Sequence, residues 1–154
     1  MSEEAEQLSA HLKGFDSAYI VTPANADRVK IIHNTVKAAK LAGVKYILVV
    51  SVTLVGTPIL FGSQFTEIEA EIKASGINYG LLKLPFFMEN NWGSAGSIAS
   101  SGTFYGPIPG NLDFTTVAIK DAADVAVEIL LNTAKHTNVT YTLTSSKQSN
   151  DELA

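Results

Sequence analysis

The stretch YILVVSV, Tyr46 to Val52, constrains the fold more than any other part of the chain. It shows no polar alternation before Ser51. A strand with one wet face alternates polar and apolar residues, so a run without alternation is covered on both faces, as a central strand of a parallel sheet is. The run is far too short to cross a bilayer as a helix.

The segments on either side repeat a strand-then-helix order. Glu3 to Lys13 reads as a short helix with Leu8 and Leu12 four apart, closed by Gly14. SAYIVT, Ser17 to Thr22, is a β-branched and aromatic strand stopped by Pro23. Asn25 or Asp27 is placed to cap a helix with Val29, Ile32, Val36 and Ala39 on one face, ended by Gly43. Ser63 is placed to cap a helix carrying Phe65, Ile68 and Ile72, ended at Gly76. The strands NYGLLKL (Asn78 to Leu84), FTTVAI (Phe114 to Ile119) and VTYTLTSS (Val139 to Ser146) follow. A helix opening at Asp121 runs through Val125, Ile129 and Leu130, and another begins in the final SNDELA. This order predicts an α/β fold: one domain, residues 1–154, with a mostly parallel sheet covered by helices on both faces. Ligands of such sheets bind outside the carboxyl ends of the strands. The glycine- and serine-rich segment from Pro85 to Gly110 is long for a plain connector, so it is expected to be functional or folded over the sheet.

Composition narrows the function. Of 154 residues, 46% are hydrophobic and 17% charged, with a formal net charge of -4 and no basic cluster, which argues against nucleic-acid binding. The absence of cysteine removes disulfides, thiolate metal sites and thiol nucleophiles together. The acidic opening MSEEAEQLSAHLK is unlike a signal peptide, so the cytoplasm is the expected location, with no membrane attachment, and the sequon Asn138-Val139-Thr140 is discounted. His11, His33 and His136 lie on different elements without carboxylates at ligand spacing, so no metal site is expected.

Four stretches together resemble the NmrA-like group of atypical short-chain dehydrogenases/reductases: GFDSAYIVTP, VKAAKLAGVKYILVVSV, IEAEIKASGINYGLLKLPFFMEN and TTVAIKDAADVAVEIL. The third is the most specific, because Glu69, the helix end at Ser75-Gly76, and Phe87 with Asn90 fall in the family's order. The resemblance covers nearly the whole chain. It implies a partial Rossmann-like doubly wound sheet, lacking the family's first strand-helix-strand units and its C-terminal substrate portion. It also implies that Thr22 and Pro23 flank the adenosine half of a dinucleotide, that Leu84, Pro85 and Phe86 flank the nicotinamide half, and that Ser51 lies near the reacting carbon.

Two departures from the family stand out. No glycine-rich GxxGxxG turn is present to hold a pyrophosphate. The superfamily's Tyr and Lys positions hold Phe61 and Phe65, neither of which moves a proton. These departures lead to the expectation of a non-catalytic module serving a structural or protein-interaction role, with no cofactor. Its partners would be further copies or a larger assembly, covering the uncharged edge of Ser17 to Thr22. The alternative is an NAD(P)H-dependent oxidoreductase or an NAD(P)-sensing regulator of the same family, using NADP or NAD. Locally, Ser51 is expected to bond backbone, and Glu67, Glu69, Glu71 and Lys73 to form a solvated helix face. Asp121 and Asp124 are expected to cap a helix, and Phe86, Phe87 and Met88 to fill core. Asn90, Asn91 and Trp92 either face a pocket or stabilise their loop.

Overall fold

The computed structural model describes residues 3–106, 108–145 and 147–153. In chain order the elements are α1 (Glu3–Leu12), β1 (Ser17–Ile20), α2 (Arg28–Ala42), β2 (Tyr46–Val52), α3 (Leu60–Ala74), β3 (Asn78–Leu84), β4 (Phe86–Phe87), α4 (Ala95–Ser101), β5 (Phe114–Val117), α5 (Ile119–Leu131), β6 (Val139–Thr142), β7 (Lys147–Gln148) and α6 (Asn150–Leu153). Short 3-10 turns occupy Met88–Ser94 and Thr133–Lys135.

The main sheet has four parallel strands in the order β1-β2-β3-β6. β2 is central, as its unbroken apolar run requires. Ile47 and Val49 pack with Ile32, Val36, Phe65, Ile68 and Ile72 from α2 and α3 on one face. Tyr46 and Leu48 pack with Ala122, Ala126 and Ile129 of α5 on the other. Ile47, Leu48 and Val49 have no exposed surface, and burying each side chain contributes about 1.5–3 kcal/mol. β2 pairs with β3 along its full length, which sets Ser51 level with Lys83 and Val52 level with Leu84 at the carboxyl ends of both strands.

Helix ends follow backbone chemistry more than the capping side chains named from the sequence. Gly43 ends α2 in the left-handed region (φ 77°), and its N–H donates to the carbonyls of Ala39 and Lys40, as expected. At the other end neither Asn25 nor Asp27 caps α2; Asn25 Oδ1 accepts the N–H of Asp27 and forms a local turn instead. α3 begins at Leu60, so Ser63 lies inside it and bonds the Leu60 carbonyl. α5 begins at Ile119, ahead of Asp121, and Asp124 pairs with Lys120. The group that caps α5 is remote in sequence: both Glu89 carboxylate oxygens accept the Ile119 N–H, at 2.9 and 3.1 Å.

Three strands are shorter than their apolar runs. β1 stops at Ile20, β5 at Val117 and β6 at Thr142, and Ser146 lies outside the described residues. Between Pro85 and Gly110 the chain forms β4, a 3-10 turn and α4, so the segment is folded over the sheet. β4 pairs in parallel with β5, and β5 pairs antiparallel with β7, in a small second sheet. Among the described residues β1 has β2 on one side and no strand on the other, with Tyr19 47% and Val21 61% exposed. No helix among them is long and apolar enough to cross a membrane.

Candidate functional site

The carboxyl ends of β2 and β3 open into a cavity of about 380 Å³. Val50, Ser51 and Val52 from β2, Leu84 and Pro85 from the end of β3, and Phe86 and Phe87 of β4 form its floor and one wall. Phe61 of α3, Ala24, Thr53, Leu54 and Asn90 complete it. The location follows from topology: parallel strands end together and their connections turn away to opposite faces, leaving a crevice. The Thr53 N–H bonds the Leu84 carbonyl at 3.2 Å and ties the two strand ends together.

A second cavity of about 100 Å³ shares the wall Phe86, Phe87 and Asn90. Its other residues include Asn91, Phe104, Tyr105, Phe114 and Asn150. Phe86 meets Phe114 edge to face, ring centroids 6.4 Å apart. No charged side chain lines either cavity among the described residues. The pair therefore suits flat, uncharged rings, with Thr53 and the asparagines as the polar groups that orient them.

Beneath the cavity lies a charged network. Ser51 Oγ donates to Glu69 Oε1 at 2.7 Å; Lys83 Nζ lies 3.2 Å from the same oxygen and Lys73 Nζ 3.3 Å from Oε2. Ser51 is completely buried and Glu69 is 3% exposed. Two expectations are corrected here. Ser51 bonds a carboxylate rather than backbone, because β2 and α3 bring residues 18 apart in sequence into contact. Glu69 is not on a solvated face, because it turns toward the β2-β3 pair, where Lys83 of β3 and Lys73 of α3 itself offset its charge. With its proton committed to Glu69, Ser51 presents lone pairs to its surroundings and acts as an acceptor.

The Phe61 and Phe65 rings stack edge to face at 5.0 Å. Phe65 is core and Phe61 is cavity wall. Arg28, 7% exposed, lies against both, with its guanidinium carbon 4.6 Å from the Phe61 centroid and 5.4 Å from that of Phe65. Of the residues named from the sequence, Ser51, Leu84, Pro85 and Phe86 come together on the cavity wall. Thr22 and Pro23 do not reach it; they follow β1, and Ala24 takes the lining position. Phe86 and Met88 are 40% and 39% exposed, so core filling fails for both, while Phe87 packs toward the α5 core. Trp92 is 78% exposed and lines neither cavity. Glu89 and Arg28 carried no local signal; their roles arise from contacts across the fold.

No family model matches the chain. It is 32% identical over 145 residues to an NAD(P)H azoreductase of Xenophilus azovorans, covering 92% of this chain and 49% of that protein. The structure superimposes on an NADPH-dependent quinone oxidoreductase from Escherichia coli, solved in complex with NADPH, with a TM-score of 0.84 and 26% identity over 100% of this chain and 56% of that one. It also superimposes on a Citrobacter sp. triphenylmethane reductase complexed with NADP(H), with a TM-score of 0.79 and 26% identity over 97% and 54% of the two chains. The chain thus spans about half the length of the relatives it matches.

The fold is Rossmann-like, and its neighbours are NAD(P)-dependent oxidoreductases. Two expectations are overturned by these findings. The first is a non-catalytic structural module: the relatives carry the names of reductases and oxidoreductases. The second is the absence of a cofactor, since these relatives are named for NAD(P)H or were solved with it. Both expectations rested on the absent glycine-rich turn together with Phe61 and Phe65. A stretch matching about half of a relative's length need not include that relative's phosphate cradle.

Proposed function

We propose that this chain forms the nicotinamide and acceptor side of an NAD(P)H-dependent oxidoreductase of the NmrA-like, atypical short-chain type. The observation that carries this is the apolar cavity of about 380 Å³ at the carboxyl ends of β2 and β3, in a fold that overlays an NADPH-bound quinone oxidoreductase. The residues present fit a nicotinamide ring: Leu84, Pro85, Phe86 and Phe61 give apolar surface for its faces, and Thr53 and Asn90 are within the wall to orient a carboxamide, with Ser51 packed beneath it. When bound, reduced nicotinamide supplies a hydride. The chain's part is to align donor and acceptor, exclude water, and hold Ser51 fixed through Glu69.

Among the described residues the lining offers no acid to protonate an acceptor. That favours neutral acceptors able to carry negative charge until water protonates them, such as quinones, over simple carbonyls that need a proton donor at the moment of transfer. The free edge of β1 belongs to the same proposal. A strand from outside these residues, in a second copy or a larger assembly, would pair there and cover Tyr19 and Val21. Sedimentation of dilute protein tests the pairing; a well-folded monomer at all concentrations would count against it. The activity is tested by following NADPH absorbance with a neutral quinone, in wild type and in a variant whose cavity is filled, Leu84→Trp. The expected result is turnover that the variant loses, and its failure would be wild-type oxidation no faster than the uncatalysed reaction.

A further inference from the structure

The cavity of about 100 Å³ lies across the Phe86-Phe87 wall from the proposed nicotinamide site. Phe86, Phe104 and Phe114 give it aromatic surface, and no charged side chain among the described residues lines it. A closed apolar cavity of about 150 Å³ holds a benzene ring. This one is smaller but opens to solvent beside Asn91 and Tyr105, both exposed, so it receives one ring with an edge left in the mouth. A charged ring would lose hydration there without gaining a counter-ion.

The polar part of the lining selects the ring's substituent. Ser94, 7% exposed, commits its hydroxyl proton to the Tyr105 carbonyl at 2.9 Å and so presents only lone pairs. Asn150 Nδ2 donates to the Ile108 carbonyl at 2.8 Å, which fixes the orientation of the amide. Its Oδ1 then accepts from no donor among the described residues. A ring in this cavity meets acceptors, and the substituent that suits them is a hydroxyl or an N–H, not an ether or a carboxylate.

We propose that this cavity is a specificity pocket for the electron acceptor: it takes an uncharged ring bearing a phenol-type hydroxyl or an N–H, joined to the reducible group that faces the nicotinamide in the first cavity. This rests on the oxidoreductase reading above. Phe86, Phe87 and Asn90 line both cavities. Phe86 is 40% exposed and Asn90 is exposed, so the wall they form has its crest at the surface and one molecule can straddle it. The edge-to-face contact of Phe86 with Phe114 holds that crest against the second cavity. An acceptor of one ring uses the first cavity alone, and one with a second, donor-bearing ring uses both.

Methyl-resolved NMR separates the two cavities, because Ile108 and Thr116 line the second and not the first, and Leu54 and Leu84 the first and not the second. The protein is titrated with phenol, with anisole, which keeps the ring but cannot donate, and with benzenesulfonate, which is charged. Phenol is expected to shift Ile108 and Thr116 saturably, anisole to bind about fivefold more weakly for want of one hydrogen bond, and benzenesulfonate to leave both in place. Ser94→Ala is expected to narrow the gap between phenol and anisole. Ile108→Trp, which fills the cavity, is expected to abolish both shifts at Thr116, with the Ile32 and Ile129 methyls reporting an intact core. With NADPH and wild-type protein, 2-(4-hydroxyphenyl)-1,4-benzoquinone is expected to be reduced with kcat/KM about fivefold above that of its 4-methoxy analogue. Phenol shifts confined to Leu54 and Leu84, or equal affinities for phenol and anisole, overturn the proposal. Phenol binding at Ile108 and Thr116 without turnover of either quinone upholds the ring site and overturns the oxidoreductase reading. Turnover with equal kcat/KM for the two quinones overturns the specificity pocket and leaves that reading standing.

Discussion

Replacing Glu69 with glutamine keeps the size of the side chain and removes its charge. In the folded protein that side chain is 4% exposed and serves Ser51, Lys83 and Lys73 at once. The amide oxygen can still accept from Ser51, but both lysines lose their partner. Removing one member of a buried ion pair costs about 3–5 kcal/mol when the orphaned charge stays buried. Here Lys83 is 23% and Lys73 48% exposed, so both ammonium groups can turn toward water, and the cost drops to about 2–3 kcal/mol. With a denaturant slope of about 2 kcal/mol/M, the urea midpoint falls by about 1–1.5 M. Far-UV circular dichroism is the suitable probe, because the single tryptophan, Trp92, is 78% exposed even in the folded state. Lys83→Met added to Glu69→Gln should cost less than the sum of the two single changes, since they share one contact. A solvated glutamate would be worth under about 0.5 kcal/mol, so a midpoint moved by less than about 0.25 M would refute the buried-network reasoning.

Other perturbations give independent checks. Gly80→Ala would place a Cβ 2.5 Å from the Tyr46 hydroxyl and 3.0 Å from Leu48 Cδ1, and overpacking between two central strands is expected to cost about 1–3 kcal/mol in urea unfolding; an unchanged midpoint contradicts it. Glu89→Ala removes the carboxylate that caps α5, and a loss of about 1 kcal/mol is expected, with faster amide exchange at Ile119 as its local signature. Burial, and secondarily the neighbouring Tyr141, pushes the Tyr46 hydroxyl up to about 12 from an ordinary 10.0. A raised value favours the protonated, folded form, so this stabilisation is complete below pH 10 and is lost as pH rises toward 12. Urea midpoints across that window should therefore fall more steeply in wild type than in Tyr46→Phe, and parallel profiles would refute the assignment.

Much of the fold was legible because its strongest signals are local. The unbroken apolar run of β2, the glycine that ends α2 and the heptad-like face of α3 each act within a few residues, and the structure has them where the sequence puts them. The cavity was partly legible: the family resemblance implied Leu84, Pro85, Phe86 and Ser51, and all four line the crevice where the ends of β2 and β3 converge. What the sequence hid depends on contacts between distant elements. Glu69 looks like one of several surface acids until α3 is laid on β2 and β3. Glu89 caps a helix that begins 30 residues later. Arg28 reads as an ordinary helix-start cation until Phe61 and Phe65 enclose it. Function was less legible, because a stretch that matches half of its relatives' length need not carry their phosphate-binding turn.

The nicotinamide site is tested most directly by methyl-resolved NMR during titration with reduced nicotinamide mononucleotide. Saturable shifts concentrated on Val50, Val52, Leu54 and Leu84, with the buried methyls of Ile32 and Ile129 unmoved, are the expected result. Shifts that never saturate, or that gather elsewhere while these four stay in place, would show that the cavity at the ends of β2 and β3 does not receive the cofactor.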